Sequence, residues 1–223
     1  MKNYLIGICI AAQLLVRIVF GQDPQVTRST ARSDLLERRV VGDNVEYLAT
    51  PKAFFKAVTS VGGAGGVVRL PTCEPDPIKQ VWRPSNSRLA DLLDLIVLAD
   101  TDYRWRFEKG AVNLLPKTGE PELLKTHIAR FDVEDVGSTR LALDYLLEAP
   151  EIKNRMAELN LSNDALEVSS ILSSPKPSTF GLHCRNVTLR EALNAIAVAK
   201  KGAALWVYSE RHCNGQHQVA ITF

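Results

Sequence analysis

The chain has 223 residues, 46% hydrophobic and 23% charged, with 27 basic and 25 acidic side chains and a formal charge of +2. That is ordinary globular usage, which excludes a disordered chain, a collagen-like repeat and a multi-span membrane protein. The length allows one domain or two small ones, each able to bury a core.

Residues 1–21 read as a secretory signal. Lys2 gives the positive start, residues 4–16 are mostly apolar, and Val19-Phe20-Gly21 precedes a cleavage point at Gln22. The apolar run is too short to span a bilayer and Arg17 interrupts it, so no stable membrane insertion is expected after cleavage. Bulky Ile8 argues against a lipid on Cys9. Removing the segment takes away Lys2 and Arg17 and leaves 25 basic and 25 acidic residues. A neutral chain has no electrostatic reason to seek nucleic acid. Export to the periplasm or beyond also permits disulfides. Cys73, Cys184 and Cys213 remain, and Cys184 with Cys213 is the preferred bridge because both lie in the C-terminal unit described below.

Residues 22–45 begin charged and aperiodic and read as a flexible arm. A short helix is expected over residues 51–61, with Ala53, Phe54, Ala57 and Val58 on one face, and a strand over 67–70. The glycines of Gly62-Gly63-Ala64-Gly65-Gly66 end that helix and turn the chain; no Lys-Ser/Thr pair follows to make a phosphate loop. Residues 79–82 predict a strand and 88–99 an amphipathic helix. Tyr103-Arg104-Trp105-Arg106-Phe107 alternates aromatic with charged residues, a half-buried strand, and Lys109-Gly110 turns into Val112-Asn113-Leu114. Residues 126–133 predict a strand, 139–147 and 152–159 helices, and 169–178, with two prolines and five serines, a linker. A strand over 179–184 leads to a helix over 189–200, opened by the capping box Thr188-Leu189-Arg190-Glu191. Strands over 204–208 and 218–223 flank the Asn214-Gly215 turn.

A shift of 100 lays Leu89, Leu93, Ile96 and Ala99 over Leu189, Leu193, Ile196 and Ala199, and Trp105 precedes Trp206 by 101. The chain therefore reads as α+β, two strand-helix-β-hairpin units with small sheets at 46–120 and 179–223, plus a connecting strand and helices at 121–168.

The run Asn186-Val187-Thr188-Leu189-Arg190-Glu191-Ala192-Leu193-Asn194-Ala195-Ile196, followed by a Trp-bearing strand and a closing hairpin, resembles the short N-terminal domain shared by secretins and TonB-dependent receptors. Residues 87–116 resemble a second, diverged copy. The resemblance implies a periplasmic module that contacts another envelope protein through a sheet edge or a helix face. It implies no catalytic residue, metal or cofactor. Arg104 and Arg106, on the face opposite the aromatics, are the interaction candidates.

Other chemistry is readable too. His183, Cys184, His212, Cys213 and His217 offer zinc or thiol ligands for a small periplasmic enzyme, although adjacent strand residues point to opposite faces, so His183 and Cys184 do not suit one ion. Asp132, Glu134 and Asp135 could pair as carboxylates with His127 the nearest histidine, but a solvated strand end explains them. Tyr103, Trp105 and Phe107 could stack on bases, yet the match of Trp105 to Trp206 favours core packing. A cell-wall glycan binder using exposed aromatics is the remaining alternative.

Overall fold

A computed structural model describes residues 34–42, 44–163 and 179–223. The signal expected at 1–21, Cys9 and the linker at 169–178 lie outside the described residues. In chain order the elements are β1 Arg39–Val40, β2 Glu46–Ala49, α1 Thr50–Ser60, β3 Ala64–Val68, β4 Ile78–Trp82, β5 Ser87–Arg88, α2 Leu89–Ala99, β6 Tyr103–Glu108 and β7 Ala111–Pro116. After a 3-10 turn at Glu122–Lys125 come β8 His127–Val136, α3 Thr139–Leu147, α4 Pro150–Glu158, β9 Ser162–Asn163, β10 Phe180–Thr188, α5 Leu189–Ala199, β11 Ala204–Cys213 and β12 Gln216–Thr222.

The repeated helices form because Leu, Ala and Ile recur at helical spacing on one stripe. Leu89, Leu93, Leu189, Leu193 and Ile196 are wholly or almost wholly buried, each side chain contributing about 1.5–3 kcal/mol. α5 starts with the full capping box, Thr188 accepting from the Glu191 amide and Glu191 from the Thr188 amide. α2 has no side-chain cap; Arg88 there pairs with Asp91 and Glu37 instead.

The repeat runs further than the helices. Leu89 donates its amide to the Arg38 carbonyl and Leu189 donates to Thr126. β1 pairs with β5 immediately before α2, as the start of β8 pairs with the end of β10 before α5. Asn86 and Asn186, also 100 apart, both adopt a positive φ, of 60° and 48°, a conformation Asn tolerates better than most residues. Residues expected as a connector thus form the first half of the second unit. The arm expected at 22–45 is docked where it is described: Val40 is buried, and Leu35 and Leu36 pack against the first unit's core.

Both units meet in one six-stranded sheet of order β6-β7-β3-β11-β12-β9. β6 is antiparallel to β7; β7, β3 and β11 run parallel; β12 turns back and β9 runs parallel to it. Each unit contributes three strands in the same spatial order, but in the second they point the opposite way. Keeping order while reversing direction is a half-turn about an axis in the sheet perpendicular to the strands, and it exchanges the faces.

The core follows that operation. Val67, Leu114 and Leu205 face α1 and α2, whereas their chain neighbours Val68, Leu115 and Trp206 face α5. Alternation along a strand thus divides one sheet between two cores. Outside the helices lie two-stranded ladders, β2 with β4 over α1 and α2, and β8 with β10 over α3 and α5.

The glycine run needs a second explanation beyond the turn. Gly62 has φ +69° and terminates α1 as expected, but Gly65 and Gly66 are buried inside β3. A Cβ on Gly66 would lie 1.9 Å from Trp206 Cε2, because the indole lies flat across that strand.

Candidate interaction surface

β6 is one edge of the central sheet, paired with β7 on one side and with no strand on the other among the described residues. Its alternation is the predicted one. Tyr103 is buried, Trp105 and Phe107 are partly buried against the core beneath α1 and α2, and Arg104 and Arg106 are exposed on the opposite face. The Tyr103 hydroxyl oxygen accepts from the Leu70 amide at 3.1 Å, and burial pushes its phenol up to about 12. Arg106 pairs with Glu108 at 3.3 Å.

The second unit shows what occupies these positions when a neighbour is present. β11 corresponds to β6, and its other side is filled by β3 in parallel register, with Trp206 opposite Gly66. Leu205 and Val207 stand where β6 has Arg104 and Arg106. Leu205 is buried in the core beneath α1, a helix of the preceding unit. Among the described residues no unit precedes the one that holds β6, and arginine stands where β11 has the apolar pair; charge on an open strand edge also deters unselective pairing.

Both tryptophans are anchored alike. Trp206 donates its indole N–H to Asn194 Oδ1 at 2.9 Å, and Trp105 donates to Asp94 Oδ1 at 2.8 Å. Asp94 and Asn194 are again 100 apart. This pair of hydrogen bonds was invisible to the hydrophobic pattern, although the shift that aligned the leucines also aligns these two residues.

Charges bind the units together at the other end of β6. Arg190, nearly buried on α5, donates to Glu120 at 2.8 Å and to Glu108, while Lys109 reaches Glu191 at 2.7 Å. The Arg and Glu of the Leu-Arg-Glu motif are therefore committed to packing contacts.

The cysteine expectation is corrected. The disulfide joins Cys73 to Cys213, with Cα atoms 5.8 Å apart, and Cys184 is a buried free thiol. Cys184 lies on the outer β10 ladder facing inward, opposite Phe131, while Cys213 ends β11 of the central sheet, and α5 packs between those layers. The parallel register of β3 with β11 instead carries the segment after β3 alongside the β11–β12 hairpin. Burial pushes the Cys184 thiol up, away from the reactive thiolate form.

The zinc or thiol site is not assembled. Cys213 is oxidised, His183 bonds Asp132 on the exposed face of β10, and His217 lies between Glu210 at 2.7 Å and the Leu159 carbonyl at 3.2 Å. Among the described residues no three His, Cys, Asp or Glu side chains converge as a metal site. Asp132 is tied to Arg185 and Arg130, which hold its carboxyl well below the usual range; Glu134 and Asp135 are exposed beyond it and His127 is at the far end of β8. A shallow cleft of about 440 Å³ beside this cluster is lined by Arg130, Asp132, Glu134, Tyr145 and Glu148. Of the exposed aromatics, Tyr47 and Phe55 belong to the first unit, and Tyr145, which lines this cleft, to the second.

No helix among the described residues is long and apolar enough to cross a membrane. Comparison with family models, curated proteins and solved structures finds no match to this chain.

Proposed function

We propose that this chain is a non-enzymatic, exported protein-interaction module of the bacterial envelope, built from two copies of a unit similar to the short N-terminal domain of secretins and TonB-dependent receptors, and that it binds another envelope protein along β6. The observation that carries the reading is the open β6 edge with Arg104 and Arg106 on its exposed face. Main-chain hydrogen bonds to an edge give affinity, and the flanking side chains choose the partner. The disulfide and the apolar leader support export; the near neutrality expected after cleavage favours a protein partner over nucleic acid.

The test is recovery of a partner from envelope extract of the source bacterium by the immobilised chain, with and without the paired substitutions Arg104→Glu and Arg106→Glu. Both side chains are on the surface, so the variant keeps its fold. Recovery of a stoichiometric partner that the variant loses supports the reading. Equal recovery removes the two arginines from the account, and no recovery by the unaltered chain removes the reading.

A further inference from the structure

The molecule contains a worked example of what fits beside a strand of this type. At the internal junction β3 lies parallel to β11 from Ala64 opposite Ala204 to Val68 opposite Tyr208. Trp206 roofs the incoming strand, three of its ring atoms lying within 2.4 Å of where a Gly66 Cβ would stand, so only glycine is accommodated there. The ring is held in that place by its bond to Asn194. Trp105 has the same anchor in Asp94, stands at the corresponding position of β6, and is only partly buried, no strand of the described residues lying beneath it.

We infer that the β6 edge is a preformed receptor for an extended segment of the partner, docked parallel to β6, with glycine beneath the Trp105 ring and an acidic residue on each side of that glycine. Resting on the proposed interaction function, this names the partner's chemistry. In a parallel pair at the β3–β11 register the residues flanking the glycine stand opposite Arg104 and Arg106. Alternation sends their side chains to the arginine face. At the internal junction those two positions of the acceptor are Leu205 and Val207, opposite Gly65 and Val67 of β3. Replacing an apolar pair by two arginines changes the complement from apolar to anionic, while the tryptophan and its demand for glycine are kept. The discrimination is steric at the centre and electrostatic at the flanks, and an arginine paired at an edge strand selects more by excluding wrong partners than by added affinity.

The probe is a fluorescein-labelled peptide with the sequence of residues 62–70 carrying Gly65→Glu and Val67→Glu, which preserves the central glycine and adds the two carboxylates. Binding is followed by anisotropy on the full chain, and its place by amide hydrogen exchange. Changing the central glycine of the peptide to leucine is expected to weaken binding at least tenfold, and Trp105→Ala in the protein to restore the leucine peptide to within threefold. Arg104→Glu with Arg106→Glu weakens the glycine peptide at least tenfold, less so in 1 M salt, where the Debye length is about 3 Å. The Trp105 and Phe107 amides, which point away from β7 to the free edge, exchange more slowly in the complex. Equal affinity for the glycine and leucine peptides, or unaltered exchange along β6, overturns the inference. If no peptide binds but an envelope partner is still lost by the arginine variant, the inference fails and the interaction function stands; if the unaltered chain recovers no partner, the function fails first. A complex of twice the chain's mass without peptide assigns the edge to a second copy and also overturns it.

Discussion

Gly66→Ala strikes the junction between the two units. The added Cβ would be 1.9, 2.1 and 2.4 Å from Trp206 Cε2, Cζ2 and Cδ2, against a carbon–carbon optimum of about 3.5–4.0 Å. Relief requires the indole or the strand to move by roughly 1.5 Å, and interiors packed at crystal-like density have no such slack. Trp206 is fully buried beneath α5, and β3 is paired on both sides. Overpacking costs about 1–3 kcal/mol. Displacing the indole also breaks its bond to Asn194 and leaves a buried donor unpaired, about 1–3 kcal/mol more. The restriction alanine places on the unfolded chain returns about 0.4–1 kcal/mol. The net loss is about 1–6 kcal/mol, centred on about 3, read by urea unfolding of wild type and variant followed by circular dichroism. Gly215→Ala is the control: nothing lies within 4 Å of its Cβ position, and its φ of +75° costs only about 1–2 kcal/mol. In a Trp206→Ala background Gly66→Ala should cost under about 1 kcal/mol, a coupling of 2 kcal/mol or more. A loss below about 1 kcal/mol in the native background, or the same loss with and without the indole, refutes the reasoning.

Other perturbations follow from the same geometry. The Cys73–Cys213 bridge spans 140 residues, and a loop of that length is worth up to about 5 kcal/mol through the unfolded state, so Cys213→Ser should lower the urea midpoint steeply while Cys184→Ser does not break a covalent link; peptide mapping without reductant should recover Cys73 joined to Cys213. Asn194→Ala strands the buried Trp206 N–H and should cost about 1–3 kcal/mol, whereas Asp94→Ala, which leaves a partly exposed Trp105 able to meet water, should cost under about 1 kcal/mol in the same assay. Asp132 has its folded carboxyl pKa depressed by Arg185 and Arg130, so its contribution is complete above the unfolded value near 4 and is lost as pH falls through the folded value; unfolding between pH 7 and 2 should show a shallower acid loss for Asp132→Asn than for wild type.

The second half of each unit was legible because it repeats in identity as well as in pattern. Leu89, Leu93 and Ile96 bury the same stripe as their counterparts, and the offset of Trp105 from Trp206 correctly aligns the following strands. The first halves were not, because β2, α1 and β3 share few residues with β8, α3, α4 and β9, and their kinship resides in pairing partners that no local pattern records. The glycines of β3 looked like a turn because glycine in a central strand is normally unfavourable; here a tryptophan from 140 residues later in the chain needs the space. The disulfide failed for a related reason. Cys184 and Cys213 are close in sequence but lie in different layers, while Cys73 and Cys213 are brought together by a strand register between units. At the surface, alternation alone placed Arg104 and Arg106 opposite the aromatics; that they stand on an open edge follows only from the order of strands in the sheet.

The account depends on the two units sharing one sheet through β3 and β11, with the Trp206 ring pressed onto Gly66. Nuclear magnetic resonance of labelled protein reads that contact directly. The account predicts nuclear Overhauser contacts from the Gly66 α-protons to the Trp206 indole and strong upfield ring-current displacement of those protons. Gly66 α-protons at ordinary glycine positions, with no contact to the indole, would contradict it.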